Sequence, residues 1–538
     1  MRPRRTPSAP AMLVALDPDA SATLQQQLYA GLRDAILAGR LAAGAQLPAT
    51  RLLAAELSVS RTTVALAFDQ LRAEGYVTGR PRSGTFVAAT IPDRTLAVSS
   101  LSGRGRRGIA SANGRTRLAE ARVQHLQSPQ PGLSARGERL AGLTVASATA
   151  PWGVPRAFRV GLPAIDAFPA ALWARLTARR WRRPPAELSA LLAYGAPAGY
   201  QPLREAIAAY VTTARGGRCA PEQVIVVGGA QQALDLVARV LLDPGDQVWM
   251  EDPGYLGARS ALQAAGAGVV AVPVDGEGLG VGEGERRAPN ARLAYVSPSH
   301  QFPLGGTMSA ARRLQLLAWA ARAGAWIVED DYDSEFRYAS RPLPSLQGMD
   351  VTGGGAPAGA SRVVYVGTFS KTLFPALRLG YLVAPPALAE AFAAARSVAD
   401  RHAPTMEQAV LADFIAEGHF ARHVRRMRAL YAERQAALLD AAECGRLGEH
   451  LELRPADAGM HLMGWLRERR GREHHHGDVP DDRERSAVAV AAGVEAPALS
   501  RYALVPPARG ALLLGYAAFA PPLIRRAADQ LAAALAAR

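Results

Sequence analysis

The stretch VVYVGTFSKTLFPALRLGYLVAP, residues 363–385, decides the fold of this chain. It opens with a β-branched and aromatic run, Val363–Val366, that predicts a buried strand, and a second apolar run follows at 379–383. Between the two runs, Lys371 stands among small hydroxyl residues, with Arg378 seven positions further on. Apolar walls lower the pKa of an amine, and hydroxyl and guanidinium groups hold a dianion. The pattern therefore predicts a lysine that forms a Schiff base beside a phosphate site.

The composition of the whole chain limits its class. A length of 538 residues predicts about three domains. No apolar run reaches the roughly 20 residues of a membrane-spanning helix, and the basic segment Met1–Pro10 leads into no apolar signal core. The two cysteines, Cys219 and Cys444, provide no disulfide framework. We therefore expect a cytoplasmic protein without a membrane partner.

The net charge of +15 has two interpretations. It is either a bias toward arginine in the composition or the mark of a polyanion partner, because clustered arginines attract phosphate backbones. Charge alone does not decide between them. The adjacent residues His474–His476 lack the spacing of metal ligands, and we predict no metal site.

Residues 22–90 have the pattern of three helices followed by a small hairpin. Apolar residues recur every four positions over 24–36, which predicts one apolar helix face. Shorter helices are predicted over Arg51–Leu57 and Arg61–Glu74, each preceded by a hydroxyl residue placed to cap it. A Gly-Arg-Pro-Arg-Ser-Gly turn within 76–87 joins the two strands of the hairpin.

The segment LPATRLLAAELSVSRTTVALAFDQLRAEGYVTGRPRSGTFV, residues 47–87, resembles the DNA-binding domain of the GntR family of bacterial transcription regulators. The resemblance implies a winged helix-turn-helix whose third helix presents its first turn to the major groove. Arg61 is then the principal base reader, because arginine pairs two ways with guanine. The other DNA contacts that we predict are Arg51, Ser60, Thr62 and Thr63, with Ser83 and Gly84 at the tip of the wing. The alternative is a helical domain whose arginines only solvate one face.

Residues 91–155 are rich in serine, glycine and arginine and lack periodicity. They are predicted to form a flexible basic linker. Its arginine clusters either add non-specific affinity for DNA or only keep a tether in solution. Either way, a linker of this length lets the flanking domains reposition.

Strand-like and helix-like runs alternate through 156–538, which predicts an α/β domain with a mostly parallel sheet. Within it, TFSKTLFPALRLGY, residues 368–381, resembles the cofactor-lysine motif of fold-type I pyridoxal-phosphate (PLP) aminotransferases. The resemblance implies that Lys371 carries PLP as a Schiff base, that Tyr255 stacks on its ring, and that Asp330 pairs with its pyridinium nitrogen. It further implies that Tyr332 contacts the phenolic oxygen of PLP. The residues predicted to hold the cofactor phosphate are Ala230, Gln231, Thr368, Ser370 and Arg378, with Tyr194 contributed to the cofactor of the neighbouring subunit.

Two motifs depart from ordinary aminotransferases. The asparagine that usually contacts the cofactor ring oxygen is replaced within PSHQFP, where either His300 or Gln301 takes the polar role. PSHQFP and EDDYDSEFRY are typical of the MocR subfamily of GntR regulators. For the arginine that clamps a ligand carboxylate, Arg501 and Arg509 are the candidates, and we predict Arg509 because it lies nearer the final strand.

Together the two resemblances predict a multidomain chain: an N-terminal winged helix-turn-helix and an α/β fold-type I aminotransferase-like domain. They imply a PLP-responsive transcription regulator of vitamin B6 or amino-acid metabolism. By analogy it is a homodimer that binds double-stranded DNA at paired half-sites and senses PLP or a small amine. Ligand-driven closure of the large domain would change the half-site spacing through the linker.

Two other functions stay open at this point. The first is a catalytically active aminotransferase with an appended DNA-binding domain, which multiple turnovers of amino acid to keto acid would reveal. We expect at most residual chemistry of this kind rather than a physiological enzyme. The second is a DNA-binding protein whose large domain binds no cofactor, which predicts no visible absorbance and no effect of Lys371→Ala.

Overall fold

The computed structural model describes residues 14–18, 20, 22–80, 84–89, 132–143, 155–338, 344–352, 361–467 and 482–537. The chain divides into two compact units, residues 1–126 and 127–538. Each unit has its own hydrophobic core. Within these described residues, no helix has the length and apolar character needed to cross a bilayer.

The first unit contains three helices and a hairpin. Its elements are α1 (Leu24–Leu37), α2 (Thr50–Glu56), α3 (Arg61–Ala73), β1 (Val77–Arg80) and β2 (Gly84–Val87). The two strands pair antiparallel, with the first residue of β1 opposite the last residue of β2. This is the winged helix-turn-helix that the sequence predicts.

The core of the first unit lies where the apolar periodicity places it. The buried residues Leu28 and Leu32 of α1 pack with Val64, Phe68 and Leu71 of α3. The spacing of three and four residues puts each set on one helix face, which is why both helices bury a single stripe.

One predicted cap in this unit is wrong. Thr50 is the first residue of α2 rather than its N-cap, and Ala49 precedes it without a side-chain hydrogen bond. Ser60 does cap α3, because its side chain accepts a hydrogen bond from the Thr63 backbone N–H.

The second unit is built on a large sheet and a small one. The strands of the large sheet are β3 (Val224–Val227), β4 (Gln247–Asp252), β5 (Gly268–Asp275), β6 (Gly278–Leu279), β7 (Leu293–Val296), β8 (Trp326–Asp331), β9 (Val363–Thr368) and β10 (Gly380–Val383). Their order is β3-β10-β9-β8-β7-β4-β5-β6. Pairing is parallel from β9 through β8, β7 and β4 to β5, and antiparallel where β10 meets β3 and β9 and where β5 meets β6. The predicted mostly parallel sheet is confirmed.

Helices surround these strands. In chain order they are α4 (Ala135–Gly142), α5 (Ala170–Trp181), α6 (Pro185–Leu192), α7 (Gln201–Arg215), α8 (Ala230–Leu241), α9 (Leu256–Ala264), α10 (Val281–Arg287), α11 (Ala310–Ala323), α12 (Leu346–Thr352), α13 (Ala389–Asp400), α14 (Thr405–Ala416), α15 (His419–Glu443), α16 (Asp482–Ala491) and α17 (Pro521–Ala536). Strands buried on both faces explain the continuous apolar runs, such as the fully buried β9.

The small sheet closes the C-terminal part of the unit. Its strands are β11 (Leu451–Leu453), β12 (His461–Leu466) and β13 (Ala511–Gly515), paired antiparallel in that order. Phe158 forms an isolated bridge to Gly515, so the entry segment of the unit runs beside the end of β13.

Helix α4 lies within the stretch predicted as a structureless linker. It is capped by the Ser134 hydroxyl, which accepts a hydrogen bond from the Gly137 N–H. None of its eight residues is buried. Its eight residues are fewer than the roughly 11–18 over which apolar periodicity identifies a helix, which explains why the sequence did not reveal it.

Candidate functional site

Lys371 lies in the loop after β9, at the carboxyl edge of the parallel strands. Its Nζ donates a hydrogen bond to the Gly161 carbonyl oxygen at 2.7 Å. Burial lowers the pKa of Lys371, whereas the carboxylates of Asp333 and Asp330 raise it and the Arg159 guanidinium lowers it further. A lowered pKa increases the fraction of neutral amine, which is the nucleophilic form.

Lys371 is also the only lysine in the sequence, in which lysine and arginine together number 62. The chain uses arginine at every other basic position. A guanidinium stays protonated and offers no primary amine, so arginine supplies charge but cannot replace a nucleophilic lysine. The single lysine therefore stands where the chemistry of a primary amine is needed.

Asp330, near the end of β8, has one carboxylate oxygen engaged and one unpartnered. Its Oδ2 accepts a hydrogen bond from the Tyr295 hydroxyl at 2.7 Å, and its buried Oδ1 has no partner among the described residues. Burial raises the pKa of Asp330 to about 6. A protonated ring nitrogen would supply both the missing donor and the opposite charge, so this carboxylate fits the pyridinium of PLP.

The turn between β3 and α8 is the segment predicted to hold the cofactor phosphate, and it is called the phosphate-binding loop here. Gly229 has φ +102° and leads into the 12-residue helix that begins at Ala230 and Gln231. The N–H groups of a first helical turn have no intrahelical acceptor and favour an anion. A Cβ added at Gly229 would lie 3.3 Å from both terminal nitrogens of Arg378, so this guanidinium closes over the turn. The side-chain amide of Gln231 donates to the Gly257 carbonyl oxygen at 2.9 Å. A ligand would therefore meet the backbone N–H of Gln231 rather than its side chain.

Two hydroxyl residues of a second segment are predicted to bind the same phosphate. Thr368 ends β9, and its Oγ1 accepts a hydrogen bond from the Ser370 N–H at 3.2 Å. Both residues belong to the segment that carries Lys371, so the predicted phosphate contacts and the amine lie on one loop. The side chains present fit PLP. Those that would hold it are Lys371, Asp330, Arg378, Thr368, Ser370 and Tyr255.

Five rings, here called the aromatic wall, line one side of this site. The ring of Phe302 packs edge-on against Tyr255, Tyr332, His461 and Tyr502, with centroid distances of 5.2–6.0 Å. Burial raises the pKa of Tyr255 to about 12, so it stays a neutral ring that can stack. Through Phe302 the wall packs against Tyr255, the residue that is predicted to stack on the cofactor ring.

Gln301 is fully engaged in holding its own loop. Its amide nitrogen donates to the carbonyl oxygens of Pro253 and Phe302 at 2.9 and 2.8 Å and to the Glu251 carboxylate at 3.2 Å. Its Oε1 accepts from the Leu304 N–H at 3.0 Å. These bonds engage both ends of the Gln301 amide within its own loop, and its nitrogen has no donor left for a cofactor.

His300 is the residue of the pair that reaches the site. Its Nδ1 lies 3.0 Å from Asp333 and 2.8 Å from the Tyr332 hydroxyl. Its buried Nε2 has no hydrogen-bond partner in the described part of the chain. Of the two alternatives, the contacts favour His300 as the polar group beside Tyr332.

The acids on either side of Asp330 have structural partners. Glu329 accepts the backbone N–H groups of Leu346 and Gln347 at 2.9 and 3.0 Å, which satisfies the start of α12. Asp331 forms a buried ion pair with Arg215 at 3.0 Å. Asp330 is thus the member of the acidic run that is left to face a ligand.

The structure does not bring Arg509 to Lys371. Its guanidinium pairs with Glu452 at 2.9 Å and donates to the Leu466 carbonyl oxygen. It precedes β13, whose other end, Gly515, pairs with His461 of the aromatic wall. Four strand steps place the two ends of β13 roughly 13 Å apart, so Arg509 lies away from the site. Proximity to the final strand was an insufficient criterion, because only one end of that strand faces the site.

Tyr194 is 81% exposed in the single chain. Its ring packs under the Arg401 guanidinium at 4.6 Å and against the edge of His402 at 6.2 Å. Among the described residues, the Tyr194 hydroxyl contacts neither Lys371 nor the predicted phosphate-binding residues of its own chain. Its predicted contact with the phosphate of a neighbouring subunit stays a prediction.

Three residues of the site were missed by the sequence reasoning. Arg159 and Asp333 both act on the charge of Lys371, and His461 lies against Phe302 with a pKa that burial lowers to about 3. The acidic run EDDYD carried a signal for Asp333. Arg159 and His461 come from segments distant in sequence and have no local motif.

In the first unit, the predicted DNA-contacting residues of α3 lie at its exposed end. Arg61 and Thr62 are exposed, and Thr63 is half-buried. Arg51 on α2 is exposed as well. An arginine in the first turn of such a helix is available to base edges.

The predicted tip of the wing is described only in part. Gly84 begins β2 with φ +107°, a backbone conformation that favours glycine. Ser83 lies outside the described residues. The contact of Gly84 with a minor groove stays a prediction.

Ser60 caps α3, as the sequence predicted, and it is also a predicted DNA contact. Two substitutions separate its effect on stability from its effect on DNA binding. Its Oγ accepts the Thr63 N–H at 3.0 Å, so Ser60→Ala should lower the free energy of unfolding of the first unit by about 1 kcal/mol. Ser60→Asp retains a cap but places a negative charge beside DNA. We expect it to preserve stability in urea unfolding while weakening DNA binding. Equal stability of Ser60→Ala and wild type would contradict the assigned cap.

Two sequence families match the chain. Residues 24–87 match "Bacterial regulatory proteins, gntR family", and residues 174–488 match "Aminotransferase class I and II". The two matches fall on the winged helix-turn-helix and on the sheet that carries Lys371.

Whole-chain relatives combine both parts. The chain is 43% identical to the "Probable rhizopine catabolism regulatory protein MocR" of Rhizobium meliloti, over 97% of this chain and 96% of that protein. It is 29% identical to the "HTH-type pyridoxine biosynthesis transcriptional regulator PdxR" of Corynebacterium glutamicum, over 84% and 85%.

A solved enzyme shares the fold of the second unit. The α-aminoadipate aminotransferase LysN of Thermus thermophilus, complexed with N-(5'-phosphopyridoxyl)-L-leucine, superposes with a TM-score of 0.62 at 30% identity. The match covers 71% of this chain and 92% of that structure.

Proposed function

This chain belongs to the MocR subfamily of GntR-family transcription regulators, and on that premise we propose that it regulates transcription in response to PLP or an amine bound at Lys371. The observation that supports this most is the single lysine of the sequence. It stands enclosed beside the unpartnered Asp330 carboxylate oxygen and the phosphate-binding loop. A chain that uses arginine at every other basic position retains the amine where PLP would attach.

Different residues of the site would bind different parts of such a ligand. PLP, when bound, supplies an aldehyde that reacts reversibly with amines. Arg378, Thr368 and Ser370 would hold its phosphate, and the Asp330 carboxylate would stabilise a proton at its ring nitrogen. The Gly161 carbonyl oxygen accepts the hydrogen bond of the Lys371 amine and orients it toward the site.

The signal is a small molecule of vitamin B6 or amine metabolism. The two regulators reported above are named for rhizopine catabolism and for pyridoxine biosynthesis, so relatives of both kinds exist. The proposed protein is a cytoplasmic homodimer that binds operator DNA with paired half-sites. The exposure of Tyr194 supports a subunit contact, because it leaves that hydroxyl available to a second chain.

If the amine ligand also carries a carboxylate, Arg159 is the cation that would pair with that carboxylate. Its guanidinium acts on the charge of Lys371 and has no hydrogen-bond or ion-pair partner among the described residues. We expect Arg159→Gln to weaken the binding of β-alanine roughly tenfold, because a hydrogen bond to a charged group is lost. Propylamine, the matched amine without a carboxylate, should bind unchanged.

The measurement is the change in visible absorbance of the PLP-loaded protein on titration with each amine. Arg156→Gln is the control, since Arg156 is bonded to the Val490 carbonyl oxygen elsewhere. Equal losses for β-alanine and propylamine would assign Arg159 a structural role only.

The alternative function is an active aminotransferase, which the fold it shares with LysN favours. The test is keto-acid formation by PLP-loaded protein supplied with amino acids and an acceptor keto acid. The regulator proposal predicts at most one turnover for each subunit. Sustained turnover at about 1 s⁻¹ or faster, the ordinary range of enzymes, would replace it with the enzyme.

A further inference from the structure

A cavity of about 650 Å³ lies in the second unit between the end of α4, α9 and α16. Arg259, Arg483 and Arg501 line it, together with Ser260 and Ser486, and no carboxylate of the described residues lines it. Three cations on one concave surface repel each other and raise the local positive potential. The cavity is separate from the site at Lys371.

The acids near this cavity already have partners. Asp252 accepts the backbone N–H groups of Leu504 and Val505 at 2.6 and 2.9 Å. Asp482 accepts the N–H and the hydroxyl of Ser500 at 2.9 and 2.5 Å. Within the described residues, neither carboxylate forms an ion pair with Arg259 or Arg501, so the charges of these two arginines are left for a ligand.

Arg259 and Arg501 are the available cations. Neither guanidinium has a hydrogen-bond or ion-pair partner within the described part of the chain. Arg259 is half-buried, and burial lowers its pKa while Asp252 partly opposes the effect. Arg483 is oriented by bonds to the hydroxyl and carbonyl oxygens of Ser500. Arg483 and Arg501 are exposed, so the cost of a desolvated charge without a partner applies to Arg259, and a bound anion removes that cost.

We propose that this cavity binds a small anion with two or more negative charges, held by Arg259, Arg483 and Arg501. Guanidinium groups pair two ways with phosphate and with carboxylate, and both chemistries fit. Serine hydroxyls beside them add neutral donors. This inference does not depend on the proposed function of Lys371.

The bound anion also fixes the end of the predicted linker. Gly142 and Leu143, at the end of α4, line the same cavity, whereas α4 buries none of its own residues. An anion between them and the arginines therefore adds contacts that hold α4 against α9. On the other side, α9 begins directly after Tyr255, and Tyr502 lies beside Arg501 in the loop, so the cavity adjoins the aromatic wall.

The test is calorimetric titration of the full chain, without added PLP, with pyrophosphate and, separately, with citrate, against potassium chloride of equal ionic strength. We expect saturable binding that the double variant Arg259→Gln/Arg501→Gln weakens at least about tenfold. Arg525→Gln, an exposed arginine on α17, should bind as wild type does. The double variant must retain the far-ultraviolet circular dichroism spectrum of wild type, which shows that it is folded.

Hydrogen exchange tests the linker part. Backbone amides of residues 135–143 should become more protected when pyrophosphate is added to wild type, and not in the double variant. Binding unaffected by the double substitution overturns the proposal. So does binding that is lost in Arg378→Gln, because that anion would occupy the phosphate-binding loop. Unchanged protection at 135–143 overturns the linker contact.

Discussion

Replacing Lys371 by alanine should abolish covalent uptake of PLP and leave DNA binding indifferent to PLP and to amines. Because Lys371 is the only lysine, the variant keeps no ε-amine at all. The loss is therefore expected to be complete rather than partial, with no second lysine to take over the attachment. Alanine also removes the hydrogen bond to the Gly161 carbonyl oxygen, which PLP attachment would have replaced.

The measurement is reduction with borohydride followed by mass spectrometry of the intact chain. Wild type should gain one cofactor mass per chain, located to the peptide that contains Lys371. Lys371→Arg is the matched control, because it retains the positive charge opposite Asp330 and Asp333 but lacks a primary amine. It should behave as the alanine variant does. Cofactor attached to either variant would place the chemistry at the N-terminal amine and contradict the assigned site.

Replacing Arg61 by alanine should remove most of the sequence specificity of DNA binding. Arg61 is the exposed first residue of α3, and a bidentate arginine–guanine pair contributes about 1–3 kcal/mol of discrimination. We therefore expect affinity for the operator to fall roughly 10- to 100-fold, with little change in affinity for unrelated DNA. Both affinities must be measured at one salt concentration, since phosphate contacts depend strongly on salt.

Two further variants separate base reading from phosphate contact. Arg51→Ala should weaken operator and unrelated DNA alike, which is the behaviour of a phosphate contact. Arg40→Ala, an exposed arginine in the turn after α1, should change neither. An Arg61→Ala protein that loses both affinities equally would make Arg61 a phosphate contact and leave the base reader unidentified.

Much of the fold was predictable because its signals are local. The four-residue apolar spacing of α1, the hydroxyl cap of α3 and the buried run of β9 each lie within a few residues of one another. The same holds for the segment that carries Thr368, Ser370 and Lys371, which one loop brings together. Parallel strands then place their carboxyl ends at one edge, so Asp330 was predictable from its place at the end of β8.

The remainder depends on contacts between distant segments. Gly161 contacts Lys371 although the two residues are 210 positions apart in the sequence. Arg159, two residues before Gly161, lies near enough to lower the pKa of Lys371. His461 reaches Phe302 only because β12 folds back over the site. For Arg509, the prediction rested on a residue type near the final strand, whereas the side chain is held by Glu452 at the far end. In an antiparallel sheet such as the small one, no local pattern encodes which end of a strand faces a site.

The most direct test of the regulator is fluorescence anisotropy with DNA from upstream of its own gene and of neighbouring genes, at fixed salt, with and without PLP. We predict that PLP, or an amine added after it, changes the affinity of wild type for this DNA by roughly 5- to 150-fold, the range typical of coupled sites. A change in the number of chains bound per DNA would also be a response. Lys371→Arg should bind the same DNA without that response. Specific DNA binding that neither PLP nor any amine alters would contradict the central claim. So would a Lys371→Arg variant whose DNA binding still responds to PLP.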